Sequence, residues 1–174
     1  MFKKINVLLT LFISLKALAL DAVSDFYSNY EICTPFDWQA ENLKGPNELR
    51  IISPKHSCEI HIVFSEQKID KKLWESLAFD YQKALADSLS YNQNTKFNLK
   101  IETPKSYSLN NFKGYEFDYV NFFKDGRYLS GQSIILFGSK GEIAIDLISH
   151  NYKTRQKCLN DAHKYLKTLK ERVN

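Results

Sequence analysis

Residues 115–149, YEFDYVNFFKDGRYLSGQSIILFGSKGEIAIDLIS, decide the fold. Tyr115, Phe117 and Tyr119 alternate with Glu116 and Asp118, the period of two that marks a strand with one apolar face. Asp125-Gly126 then supplies the positive φ that a tight hairpin requires, and 128–137 returns as the partner strand. Ile134 to Phe137 is apolar on both faces, so this strand is expected at the centre of a sheet. Gly138 to Gly141 turns the chain again into 142–149, where Ile143, Ile145 and Leu147 alternate with Ala144, Asp146 and Ile148. Three consecutive strands joined by short turns make an antiparallel meander.

Three more strands precede it. Tyr30 to Thr34 is ended by Pro35, which cannot donate to a ladder; 48–53 follows the turn Lys44-Gly45-Pro46-Asn47; and 58–65 follows Pro54. The period then changes. Asp70 is placed as a helix N-cap, and Trp74, Leu77, Ala78, Tyr81, Ala84, Leu85 and Ser88 recur at three- and four-residue steps, predicting a helix that runs to Leu89. A strand at 97–102 is closed by Pro104, and a last helix is expected over 154–172 with Leu159, Ala162, Leu166, Leu169 and Val173 on its buried side. Strands, helix, strands, helix, with hairpin links, reads as an α+β fold: a twisted, mainly antiparallel β-sheet with two main helices packed on it.

The first residues carry a different message. Lys3 and Lys4 precede an apolar run from Ile5 to Leu15, and Lys16 is followed by Ala17-Leu18-Ala19, which fits the n, h and c regions of a secretory signal peptide. The apolar run is shorter than the roughly 20 residues that a membrane span needs. We read residues 1–19 as a cleaved leader and 20–174 as a single soluble α/β domain, exported to a bacterial periplasm or released from the cell. Removing Lys3, Lys4 and Lys16 leaves 21 basic against 20 acidic residues, so the basic balance of the whole chain belongs mostly to the leader and gives no nucleic-acid signal. No later segment is apolar enough to span a bilayer.

A resemblance accompanies this pattern. Pro35-Phe36-Asp37-Trp38, a strand ending in Ser53-Pro54, a long helix, Gly114 opening a strand, the Asp125-Gly126 hairpin and a closing helix together resemble the PsbP-like and DcrB-like α/β/α sandwich over nearly all of the mature chain. That group includes photosystem accessory subunits, a Ran-binding protein and exported bacterial proteins of unknown role. The resemblance implies a fold and a compartment; it assigns no functional residue here.

An oxidising compartment pairs two of the three cysteines, Cys33, Cys58 and Cys158, and leaves one over. Cys58 continues the apolar set Ile60, Ile62 and Phe64, and Cys158 shares a helical stripe with Ala162, Tyr165 and Leu169. Spacing does not settle the pairing. Cys33 with Cys58 is the expected disulfide, because both lie in the strand-rich N-terminal half.

His56, His61 and Cys58 suggest a thiol–histidine pair, but an odd step along a strand sends Cys58 and His61 to opposite faces. His56, His61, His150 and His163 show no metal-ligand spacing, and there is no nucleophile elbow and no phosphate-binding loop, so no metal, cofactor or catalytic residue is assigned. Glu116 with Asp118, and Asp80 with Asp87, read as solvated carboxylates. Two features point to a partner. Phe122, Phe123 and Tyr128 flank the Asp125-Gly126 turn, where exposed aromatics would form a recognition patch, and Lys164, Lys167, Lys170 and Arg172 form a basic stripe on the last helix. The reading is an exported, non-enzymatic binding or accessory protein that meets another exported or periplasmic protein, or a small apolar ligand in a pocket between helix and sheet. The alternative is a small exported hydrolase or thiol enzyme with an unrecognised site. An immunity or inhibitor protein is one version of the first reading.

Overall fold

The computed structural model describes residues 22–24, 30–34, 37–42, 47–91, 96–123 and 125–171. The leader at 1–19, the Lys44-Gly45-Pro46 turn, Arg172 and Val173 lie outside the described residues. Eleven strands are described: β1 (Ala22–Ser24), β2 (Tyr30–Thr34), β3 (Gln39–Asn42), β4 (Glu48–Ser53), β5 (Cys58–Ser65), β6 (Lys96–Ile101), β7 (Lys105–Leu109), β8 (Phe112–Phe123), β9 (Tyr128–Phe137), β10 (Glu142–Ser149) and β11 (Lys170–Glu171). Helix α1 spans Trp74–Tyr91 and helix α2 spans Arg155–Leu166. The fold is an α+β sandwich, as the element order implied.

The eight-stranded sheet runs β3-β4-β5-β10-β9-β8-β6, with β7 paired to β8 beside β6, and its described pairings are antiparallel. The meander places β9 between β8 and β10, where Ile134, Ile135, Leu136 and Phe137 are all buried, as expected of a strand apolar on both sides. A smaller sheet, β1-β2-β11, lies with α2 on one face of the large sheet. That face holds the main core: Ile60, Ile62, Ile145 and Leu147 from the strands meet Leu159, Ala162, Leu166 and Leu169 from the C-terminal segment. Helix α1 covers the other face, and its Ala78 is buried against Phe117, Ile135 and Phe137. Trp74 stacks on Phe137 at 4.6 Å, and Tyr81 donates to the buried Glu142 at 2.6 Å. Ala84 and Ser88, expected on the buried stripe, are exposed.

Two turns carry the geometry that their residues demanded. Gly126 has φ 84°, and Asp125 accepts from the backbone N–H of Arg127 at 3.0 Å, closing the β8–β9 hairpin. Asp70 does cap, but what it caps is a single 3-10 turn at 71–73 that leads into α1.

Three expectations need correction. The disulfide joins Cys58 to Cys158, 100 residues apart, and Cys33 is a free thiol. The reason is direction. On β2, Tyr30, Ile32 and Thr34 point inward, so Cys33 points away from the core into which Cys58 projects; α2 brings Cys158 to that core from above. The last helix is also shorter than expected. Thr168 turns its hydroxyl back to the carbonyl of Tyr165 at 2.6 Å, Asn110 donates to the carbonyls of Lys167 and Leu169, and the chain leaves as β11 beside β2. Lys170 therefore belongs to a strand, where it pairs with Glu31, and not to a helical stripe. Finally, β3 and β7 are strands beyond those that the sequence pattern predicts, being short edge segments rich in polar residues with no clear alternation.

Candidate functional site

At the N-terminal end of α2 the covered face of the large sheet runs out. Along β8, Asp118, Val120 and Phe122 share that face by the period of two, and the register sets Phe122 opposite Tyr128 and Val120 opposite Lys100. Thr154 donates to the carbonyl of His56 at 3.1 Å, and the Asn151 side chain accepts from the N–H of Lys153 at 2.9 Å. These bonds set a 3-10 turn, Tyr152–Thr154, over the strand ends. Between the turn and the sheet lies a cleft of about 430 Å³ lined by Lys100, Glu102, Asp118, Val120, Phe122, Tyr128, Tyr152 and Arg155.

Its two sides differ in chemistry. One is aromatic: Phe122 and Tyr128 rings lie 5.1 Å apart, and Tyr152 meets Tyr128 edge-on at 5.5 Å. Phe122 is 40% and Tyr152 69% exposed, two of the four exposed large hydrophobic side chains among the described residues. The other side is charged. Glu102 is held by Lys105 at 2.6 Å, a hydrogen bond that lowers the carboxyl below its ordinary value. Arg155 approaches Asp118 at 3.6 Å, longer than a hydrogen bond, and both Arg155 Nε and Asp118 Oδ1 are buried without a partner.

A second groove, of about 890 Å³, runs along α2 and is lined by Tyr107, Lys157, His163, Lys164 and Lys167 among others. His163 Nε2 lies 2.5 Å from Gln132 Oε1, and Gln132 donates to Glu116 at 3.2 Å. Burial lowers the pKa of His163, with Lys167 adding to the effect, which favours the neutral ring; the Gln132 oxygen beside Nε2 suits the tautomer that donates from Nε2–H, and Nδ1 faces the Tyr107 hydroxyl at 3.4 Å.

The sequence-derived candidates separate accordingly. Phe122 and Tyr128 enter the cleft, whereas Phe123 sits under the Arg127 guanidinium at 5.0 Å. Lys164 and Lys167 line the α2 groove, Lys164 bound to Asp161 at 2.8 Å, and Lys170 is elsewhere. Glu116 and Asp118, read as solvated, are half-buried, and burial raises the pKa of Glu116. Tyr152, Arg155 and Lys100 were missed. Each is a polar or amphipathic residue near the end of its element, and only the approach of two distant segments makes them neighbours.

Cys58 is locked in its disulfide. On the α1 face, Ser133, Asp146 and His61 lie in one row on adjacent strands, and Ser133 donates to Asp146 at 2.7 Å. The order differs from that of a Ser-His-Asp triad: the carboxylate, not the imidazole, lies beside the hydroxyl. Among the described residues, no group of three His, Cys, Asp or Glu is close enough to hold a metal ion.

No family model matches the chain, and no curated protein matches it in sequence. Solved structures do match in fold. The cyanobacterial PsbP protein CyanoP of Synechocystis superposes with a TM-score of 0.62 at 13% identity, over 89% of this chain and 94% of its own. LpqN of Mycobacterium tuberculosis, described as involved in cell envelope biogenesis, gives 0.53 at 13% identity over 88% and 86%. The Ran-binding protein Mog1p of Saccharomyces cerevisiae gives 0.52 at 7% identity over 86% and 94%. A protein of Bacteroides thetaiotaomicron matches at 0.57 with 11% identity over 90% of this chain, which spans only 49% of that protein's length. The fold is thus PsbP-like; at these identities the likeness is one of architecture. Among the described residues, no helix is long and apolar enough to cross a membrane, and the disulfide is compatible with export.

Proposed function

We propose that the chain is an exported accessory protein that acts by binding another exported or periplasmic protein, with no catalytic step of its own. The observation that carries this reading is the aromatic wall of the cleft, where Phe122 and Tyr152 stay exposed beside Tyr128 at the end of a face whose apolar centre is covered by α2 and the small sheet. Exposed aromatics grouped at a concave site are typical anchors of protein recognition. The fold is one on which protein binding is known, since Mog1p is a Ran-binding protein. Export rests on the leader-like residues 1–19 and is favoured by a buried disulfide.

The test is made on the protein expressed in a bacterium from its full chain. Its mass in the periplasmic fraction should correspond to a chain beginning at Leu20. A tagged form should retain a stoichiometric protein partner, and the double variant Phe122→Ala, Tyr152→Ala should lose it with an unchanged melting temperature. A partner retained equally by wild type and double variant would overturn the assignment of the cleft.

A further inference from the structure

The groove along α2 differs from the cleft in its charge. Its lining holds three lysines against one aspartate, and Lys164 already occupies Asp161 at 2.8 Å. Lys157 and Lys167 are exposed, and no described residue pairs with either ammonium. Burial favours the neutral form of His163, which adds no negative charge, while Glu116 accepts from Gln132 at 3.2 Å and lies outside the lining. Two uncommitted cations therefore face one concave surface, and the occupant that satisfies them is an anion. The neighbouring strand says what form that anion takes. Among the described residues β7 pairs with β8 alone, so its other edge has no ladder partner. Tyr107 reaches His163 at 3.4 Å and Asn110 donates to the Lys167 carbonyl at 3.1 Å, so β7 and α2 run side by side along the groove in the same direction. A free edge of this kind is a template for an added strand.

We infer, on the partner-binding reading above but on a different surface from the cleft, that an extended acidic segment of the partner protein adds to the free edge of β7 and turns its carboxylates to Lys157 and Lys167. The spacing suits it. Lys157 and Lys167 are ten residues apart, roughly 15 Å along the helix axis, and side chains four positions apart on one face of an extended chain are separated by about 13 Å. A membrane surface fits less well: the exposed side chains of α2 are Gln156, Lys157, Asn160 and Lys164, all polar, which leaves the helix no apolar residue to enter a bilayer.

The probes are a capped heptapeptide of alternating Glu and Thr and its counterpart with Gln for Glu, which share their backbone and differ in charge. Each is titrated at low salt into the disulfide-intact protein and followed by backbone amide shifts and amide hydrogen exchange. The Glu peptide should bind about tenfold more tightly than the Gln peptide, as two exposed ion pairs would give, and the advantage should shrink as salt is raised. Shifts should fall at residues 105–109 and 157–167, and exchange of the β7 amides should slow. Lys157→Gln with Lys167→Gln should remove most of the advantage at an unchanged melting temperature. Equal binding of the two peptides would overturn the acidic occupant, and tighter binding of the Glu peptide without slowed exchange in β7 would overturn strand addition. Binding of neither peptide would overturn the inference outright; capture by phosphatidylglycerol vesicles that the lysine variant loses would then give the groove to a membrane. None of these outcomes touches the cleft, where the Phe122→Ala, Tyr152→Ala retention experiment decides the partner-binding reading separately.

Discussion

Helices α1 and α2 lie on opposite faces of the same sheet, yet they seal it differently. Under α2, residues from β4, β5, β9 and β10 interlock with Cys158, Leu159, Ala162 and Leu166, most of them inaccessible to solvent, and a disulfide crosses the interface. Under α1, Ala78 is the only helix residue fully buried among those described, and the strands beside its footprint turn polar: Arg50, His61, Asp146 and Ser133 form one cross-strand row. Both faces come from the same strands, one residue out of phase. Apolar residues in one phase give a sealed core, polar residues in the other give a half-covered layer, and the cleft opens where the sealed face outruns its helix.

Cys58→Ala with Cys158→Ala should cost about 2–5 kcal/mol of stability in denaturant melts, since the bridge closes a loop of 100 residues in the unfolded chain. Cys33→Ser, on the outward side of β2, should stay within about 0.5 kcal/mol of wild type. A reversed ranking would mean that the pairing in solution differs.

Next come matched truncations on the two faces. Leu159→Ala on α2 should cost about 2–4 kcal/mol and the half-buried Leu85→Ala on α1 about 1 kcal/mol, because a cavity forms only where neighbours cannot collapse. Equal losses would show that α1 seals its face as tightly as α2 does. On the α1 side, Tyr81→Phe should remove about 1–2 kcal/mol, as Glu142 would keep its burial and lose its hydroxyl donor.

Burial raises the pKa of Asp146, against the opposing pull of the Ser133 hydrogen bond and His61. A carboxyl raised in the folded state favours folding in its protonated form. That contribution is fully present below the ordinary value of 3.8 and is lost as pH rises through the folded value. Asp146→Asn, which keeps an acceptor for Ser133, should therefore match wild type at low pH and gain on it toward neutrality. A variant that loses stability at neutral pH would show that His61 holds the charge more strongly than burial opposes it.

Much of this was legible in the chain. The strands 48–53, 58–65, 128–137 and 142–149 were readable to the residue because each has a half-buried or buried apolar pattern bounded by Pro, Gly or Asn. The inward direction of Cys58 and the stripe position of Cys158 were readable too, and together they held the true disulfide. Proximity in sequence misdirected the pairing, since β2 belongs to a separate sheet. Phe122 and Tyr128 were found because a hairpin tip and an aromatic pair are local signals.

Local order along the chain thus determined the alternation of strands and helices, the hairpin turns and which face of each strand is apolar, because those depend on periods of two or a few residues. Tertiary structure decided where α2 ends, which cysteines meet, and that Lys100, Asp118, Tyr152 and Arg155 surround one hollow. Contacts of that kind join residues tens of positions apart, and no short-range pattern records them: the cleft exists only because a bent turn, a long hairpin and an edge strand arrive at the same corner of the sheet.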